Sequence, residues 1–185
     1  NGHAEIAAAF AARWSRRTGA KATVRMSQRI YVLTEVKPPR SIPGTFRWAC
    51  PADVSTLAQW FLAFNQEAVP DDPPDDPKAH VHRFLKHGHL GVWDHDGMVS
   101  MAGSARGTPN GATISAVYTP SEYRGHGYAT ACVAALSQYL LHLGHQFCTL
   151  YTDLANPTSN KIYQRVGYHP IVDCSMILFS YSEGT

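Results

Sequence analysis

Apolar side chains recur along this chain with two different periods, and the changes between them mark the elements. From 129 to 143, Ala129, Cys132, Val133, Leu136, Leu140 and Leu143 fall three or four apart, which gathers them on one face of a helix that must be buried. Directly ahead, 113–119 is rich in β-branched and aromatic residues and is stopped by Pro120, the pattern of a short strand. Near the start, Ile6, Phe10 and Trp14 stand four apart in the alanine-rich stretch 5–17, which predicts a one-sided helix ended by Gly19. Residues 22–36 alternate, with Ile30, Val32 and Thr34 opposing Tyr31 and Leu33, and predict one or two strands. This helix and its strands read as the tail end of a larger N-terminal unit. Pro38, Pro39 and Pro43 remove donors and constrain their neighbours, so 37–44 is predicted to be a linker.

After the linker the pattern predicts a short strand at 45–50, then a helix with an apolar face of Val54, Leu57, Ala58, Phe61, Leu62 and Phe64 and Asp53 as its candidate cap. Four aspartates (Asp71, Asp72, Asp75, Asp76) and four prolines make 69–77 a loop by composition. A second helix, 78–86, closes near Gly88. Strands at 89–93 and 98–105 are joined by Asp94-His95-Asp96-Gly97, a hairpin turn in which Asp-Gly supplies the positive-φ residues. Thr108-Pro109-Asn110-Gly111 turns the chain into the central strand. Beyond the long helix comes a strand at 147–153 and a last helix with clean local signals. Asn156 suits the N-cap, Pro157 the first helical position and Gly167 the C′ position, and a closing strand pair follows.

Composition narrows the class without naming it. At 185 residues the chain fits one domain, or one domain plus a fragment, with enough length to bury a core. Sixteen basic and fourteen acidic side chains leave a formal charge of only +2, with no basic stripe for nucleic acid and no apolar run long enough to span a membrane. Residues 1–10 carry no initiating Met and no charged region ahead of an apolar one, so they do not read as a secretory signal; a trimmed start is expected. Cys50, Cys132, Cys148 and Cys174 are scattered singly, which fits reduced core residues of a cytoplasmic protein. His80, His82, His87 and His89 are crowded, but no ligand spacing completes them, so a solvated helix face is expected and no metal.

The chemistry concentrates between the central strand and the long helix, at Arg124-Gly125-His126-Gly127-Tyr128-Ala129. Two glycines and an alanine let the backbone approach a bound group, and the helix start presents unpaired N–H groups at the positive end of its dipole. By itself such a glycine pair is only a tight turn. Arg124-x-x-Gly127-x-Ala129 after an apolar strand nevertheless resembles the acyl-CoA signature of the GNAT N-acetyltransferase superfamily, in its bacterial type. A second block, 156–168, resembles that superfamily's C-terminal motif, with Asn156 followed seven residues on by Tyr163 and then by Gly167-Tyr168. The resemblance covers roughly 45–181 and implies a GNAT fold: an α/β mixed central sheet with flanking helices at 45–185, plus the linker 37–44 and a small N-terminal α/β extension at 1–36.

The resemblance also implies roles. Acetyl-CoA would be the cosubstrate, its pyrophosphate held by the backbone from Arg124 through Gly125, His126, Gly127 and Tyr128 to Ala129, with the Arg124 side chain a lesser contributor. The central strand at Val117, Tyr118 and Thr119 would align the pantetheine and polarise the thioester carbonyl. Asn156 would touch the pantetheine arm, and Tyr163 would protonate the leaving sulfur. Many relatives carry a glutamate on or near the central strand as general base. Here 113–119 contains none, which leaves Glu67, Glu122, the histidines, a water relay or an amine that arrives already neutral. The acceptor would be the primary amine of a small molecule or peptide, with no nucleic acid or membrane partner, and the protein a monomer or homodimer. Two other readings compete. A dinucleotide fingerprint fails because Thr130 occupies its third position and the preceding strands form a meander. A non-catalytic acyl-CoA sensor or assembly module would keep the same fold and cradle.

Overall fold

The computed structural model describes residues 1–68, 76–87 and 89–181. The helices are α1 (Ala4–Thr18), α2 (Val54–Ala68), α3 (Pro77–His87), α4 (Tyr128–His142) and α5 (Pro157–Val166). The strands are β1 (Gly2–His3), β2 (Lys21–Leu33), β3 (Thr45–Trp48), β4 (His89–Asp94), β5 (Met98–Gly107), β6 (Gly111–Tyr118), β7 (Phe147–Asp153) and β8 (His169–Ser180). All eight join one sheet in the order β1-β8-β2-β7-β6-β5-β4-β3. β6 and β7 run parallel and every other neighbouring pair is antiparallel, so the sheet is mixed as expected.

Burial follows most of the periods read from the sequence; Leu62 and Leu143, expected on buried helix faces, are 38 % and 53 % exposed. In β7, Cys148, Leu150 and Thr152 alternate inward at 5 % exposure or less, while Tyr151 between them is 48 % exposed. α4 buries Ala131, Cys132, Val133, Leu136 and Leu140 against the sheet. Cys132, Val133, Leu136 and Leu140 form one core cluster with Tyr31, Leu33, Ile114, Leu150, Tyr163 and Val166. A second cluster joins Leu57 and Phe61 of α2 and Val81 and Phe84 of α3 to Leu90, Val92 and Met101. Each large apolar side chain so buried contributes about 1.5–3 kcal/mol. Among the described residues, no helix is long and apolar enough to cross a membrane.

Of the one or two strands expected over 22–36 there is one, β2, and it lies between β7 and β8. Two local expectations change. The expected closing strand pair is likewise one strand, β8, whose long partner is β2. Pairing over this distance leaves no local mark in a sequence. Asp53 is not the N-cap of α2 itself; its carboxylate accepts the Cys50 N–H at 2.9 Å and so closes a capping box on the 3-10 turn Pro51–Asp53 that leads into α2, and it also takes Arg47 Nη1 at 2.7 Å. The one-sided face of α1 is only partly covered. Phe10 stacks on Trp14 and meets Phe179 edge-on, while Ile6 remains 70 % exposed.

The proline-rich stretch carries no helix or strand and acts as a strap from β2 to β3. The Lys37 N–H donates to the Val166 carbonyl (2.8 Å) at the end of α5. Further on, Pro43 O accepts from Trp93 Nε1 (2.8 Å), and Ile42 packs beside Gly127 at the start of α4. The acidic loop's Asp71, Asp72 and Asp75, like Gly88, lie outside the described residues. Asp76 is described: its Oδ1 accepts the N–H groups of Lys78 and Ala79 and so caps α3.

Candidate acyl-donor site

The parallel ladder between β6 and β7 runs from Gly111 opposite Phe147 to Ile114 opposite Leu150 and then stops. Both strands continue beyond it, β6 pairing with β5 at Tyr118 and β7 with β2 as far as Asp153. Each keeps its outer neighbour while the inner edges part. The register explains how: between Met101–Tyr118 and Gly103–Ser115, one residue of β5, Ala102, faces two of β6, Ala116 and Val117. The extra residue is a bulge, and Ala116 within it has φ +50°. A non-glycine residue there costs about 1–3 kcal/mol, which the surrounding core holds in place. A parallel sheet opened at the carboxyl ends of its strands is where ligands enter such folds.

Both helices that start at this end bring N-termini to the opening. A short turn of 3-10 helix, Ser121–Tyr123, leads from β6 into Arg124 and the two glycines. Gly127, at φ +87°, is the N-cap residue of α4, a conformation that needs glycine. The first intrahelical bond runs from the Ala131 N–H to Gly127 O (3.0 Å). The N–H groups of Tyr128, Ala129 and Thr130 therefore precede any intrahelical acceptor and carry the positive end of the dipole. A Cβ at Gly125 would meet nothing within 4 Å, so the turn is open on that side. α5 starts with Asn156, whose Oδ1 accepts the Ser159 N–H at 3.1 Å, as its capping signal implied.

The side chains implied by sequence are distributed unevenly around this opening. Tyr163 is 8 % exposed and belongs to the same cluster as Ile114 and Leu150, the last pair of the parallel ladder. Its ring meets Tyr168 edge-on at 6.1 Å. Burial pushes the Tyr163 hydroxyl up to about 12. Val117 is partly buried against this cluster. Tyr118 lies against Trp60 at 6.3 Å. Arg124 turns back, its Nε donating to Thr119 O at 2.9 Å and its Nη2 to both Glu67 oxygens. His126 stacks on Tyr128, whose hydroxyl is 2.7 Å from His95 Nδ1.

Two polar residues that hold this arrangement were not singled out from sequence. Ser100, fully buried on β5, donates to Tyr118 O (3.1 Å) and lies 2.8 Å from Thr119 Oγ1. Nothing in a strand pattern marks such a serine. Asn160 bonds the Asn156 and Asp153 carbonyls through Nδ2 and accepts from Thr152 Oγ1, tying α5 to the end of β7. Its signal was the spacing of four from Asn156, which puts both on one helix face.

The candidate bases are occupied differently. Glu67 is paired with Arg124, and Glu122 accepts from Ser121 Oγ at 3.2 Å on the exposed turn. His80 packs on Phe61 and Phe84, and His89 on Trp48 and Tyr139; burial lowers both below the usual histidine value. The side chain of His87 lies outside the described ones. Among the described residues, no three His, Cys, Asp or Glu side chains gather as a metal would require.

Comparison with known proteins agrees with this geometry. The family described as acetyltransferase (GNAT) family matches residues 54–168, which include the splayed strands, the glycine turn and α5. No curated protein is significantly similar to the chain. Among solved structures, a GCN5-related N-acetyltransferase from Sphaerobacter thermophilus superposes with a TM-score of 0.66 at 18% identity, covering 92% of this chain and 55% of its own. A GCN5-related N-acetyltransferase from Kribbella flavida gives 0.62 at 18%, covering 87% and 60%. An acetyltransferase from the GNAT family of Colwellia psychrerythraea gives 0.63 at 13%, covering 92% and 62%. At such identities the likeness is one of fold, and this chain spans about three fifths of the length of each. With the family match extending over most of its length, the chain belongs to the GNAT acetyltransferase family.

Proposed function

We propose that this chain is an acyl-CoA-dependent N-acetyltransferase, moving an acetyl group from acetyl-CoA to a primary amine of a small molecule or peptide in a ternary complex. The observation that carries the reading is the parting of β6 and β7 after Ile114 and Leu150, with the free N–H groups of α4 at the same end. The N–H groups of Tyr128, Ala129 and Thr130 suit the anionic oxygens of a pyrophosphate. The stretch Val117–Thr119 at the end of β6, where Ser100 and Arg124 hold the Tyr118 and Thr119 carbonyls, would align an extended pantetheine, and Asn156, whose Nδ2 is not used by the cap, suits its amides.

In the reaction the amine nitrogen attacks the thioester carbon, the C–S bond breaks, and the sulfur takes a proton from Tyr163 while the ammonium proton passes to water or a base. A hydroxyl near 12 is a weak acid for an ordinary thiolate near 8.5.

Release of free thiol from acetyl-CoA during a screen of amine acceptors tests the reading; no release with any amine would overturn it. One observation favours a second reading, a non-catalytic acyl-CoA sensor. β6 carries no carboxylate, and Glu67 is engaged by Arg124. A sensor binds acetyl-CoA and releases no thiol. We further read the protein as cytoplasmic, from its unpaired cysteines, and as a monomer or homodimer.

A further inference from the structure

The guanidinium of Arg124 makes contacts that a phosphate ligand would not need. Nε donates to Thr119 O (2.9 Å), Nη2 lies 2.7 and 2.9 Å from the two Glu67 oxygens, and the group sits over the Tyr118 ring at 5.7 Å. The preceding carbonyl, Tyr118 O, is taken by Ser100 Oγ. Side chains thus hold the last two carbonyls of the freed strand end. Glu67 is the next-to-last residue of α2, 57 positions earlier in the chain, so the ion pair ties the end of α2 to the strand end and the glycine turn.

We propose that Arg124 and Glu67 form a positioning pair for the acyl donor: Arg124 sets the strand end that receives it, and Glu67 anchors Arg124 instead of serving as the proton acceptor. This deepens the acyl-CoA reading and rests on it. Magnitude separates the two roles for Glu67. Arg124 and Glu67 are each about half exposed, and exposed pairs of this kind change an equilibrium by about twofold to fivefold. Loss of a general base costs about 10² to 10⁴-fold in rate.

The test is calorimetric titration of acetyl-CoA into the wild-type chain, Glu67→Gln, Arg124→Gln and the double variant, with thermal unfolding and thiol release measured beside it. The expected result is a loss of about twofold to fivefold in donor affinity for each single variant. The double variant should lose no more than the worse single, with unfolding midpoints unchanged. Wild-type affinity in both singles, or losses that multiply in the double, overturns the pair. Normal donor binding by Glu67→Gln with thiol release reduced a hundredfold makes Glu67 the base and overturns it equally. A wild-type chain that binds no acetyl-CoA overturns the donor reading itself, and the pair's role with it.

Discussion

Ile42 of the proline-rich strap fills the space that a side chain on Gly127 would need: its Cδ1 lies 2.8 Å from where that Cβ would stand. Two residues 85 positions apart in sequence thereby bring the strap to the first turn of α4. Gly127→Ala should lower stability by about 1–3 kcal/mol, from left-handed backbone strain plus the contact with Ile42. Adding Ile42→Ala should recover the steric part. Urea unfolding of the two single variants and the double measures both, and strictly additive losses would show that Ile42 does not crowd the position.

Tyr163→Phe should keep the fold and donor affinity while lowering turnover by about 10² to 10⁴-fold, because only the proton donor is lost. Stability supplies an independent check. The folded hydroxyl is pushed up to about 12 from 10, so the native state holds a proton that the unfolded chain gives up first. The contribution is complete below pH 10 and disappears as pH rises toward 12. Wild-type melting temperature should therefore fall more steeply across that window than that of Tyr163→Phe.

Asp53 is 8 % exposed, and the Arg47 guanidinium beside it holds its carboxyl below the usual carboxylate value. Arg47 also bonds Asp94 at 2.8 Å, so the arginine bridges β3, β4 and the entry to α2. Asp53→Asn should destabilise by about 1–3 kcal/mol at neutral pH. The ionic contribution is present above about pH 4 and is lost as pH falls through the lower folded value. Acid should thus narrow the difference between wild type and Asp53→Asn, as measured by urea midpoints from pH 7 down to 3.

A chain beginning at Lys37 would lack β1, α1 and β2. β7 would lose its partners from Gln28 to Leu33, and β8 its partners along both edges. The exposed strand edges favour aggregation. Such a chain should be recovered only in aggregated form by size exclusion. A monodisperse chain that binds acetyl-CoA like the full one would show that the first 36 residues are dispensable.

Elements whose signals are local were legible in the residues alone. β7 begins and ends where its alternation does, and α5 starts at Asn156 and stops at Gly167, because caps and periods act within a few positions. The glycine turn and Tyr163 were likewise visible as motifs, since their spacing is a property of one strand-to-helix connection and one helix. Tertiary structure alone decided the rest. β2 lies between β7 and β8, Ile42 reaches Gly127, and Arg124 turns to Glu67. Even the bulge at Ala116 depends on how β5 and β6 share one core, because an alanine carries no preference for positive φ. These relations join residues tens of positions apart, and their energies arise only when the sheet closes; no period or cap in the chain records them.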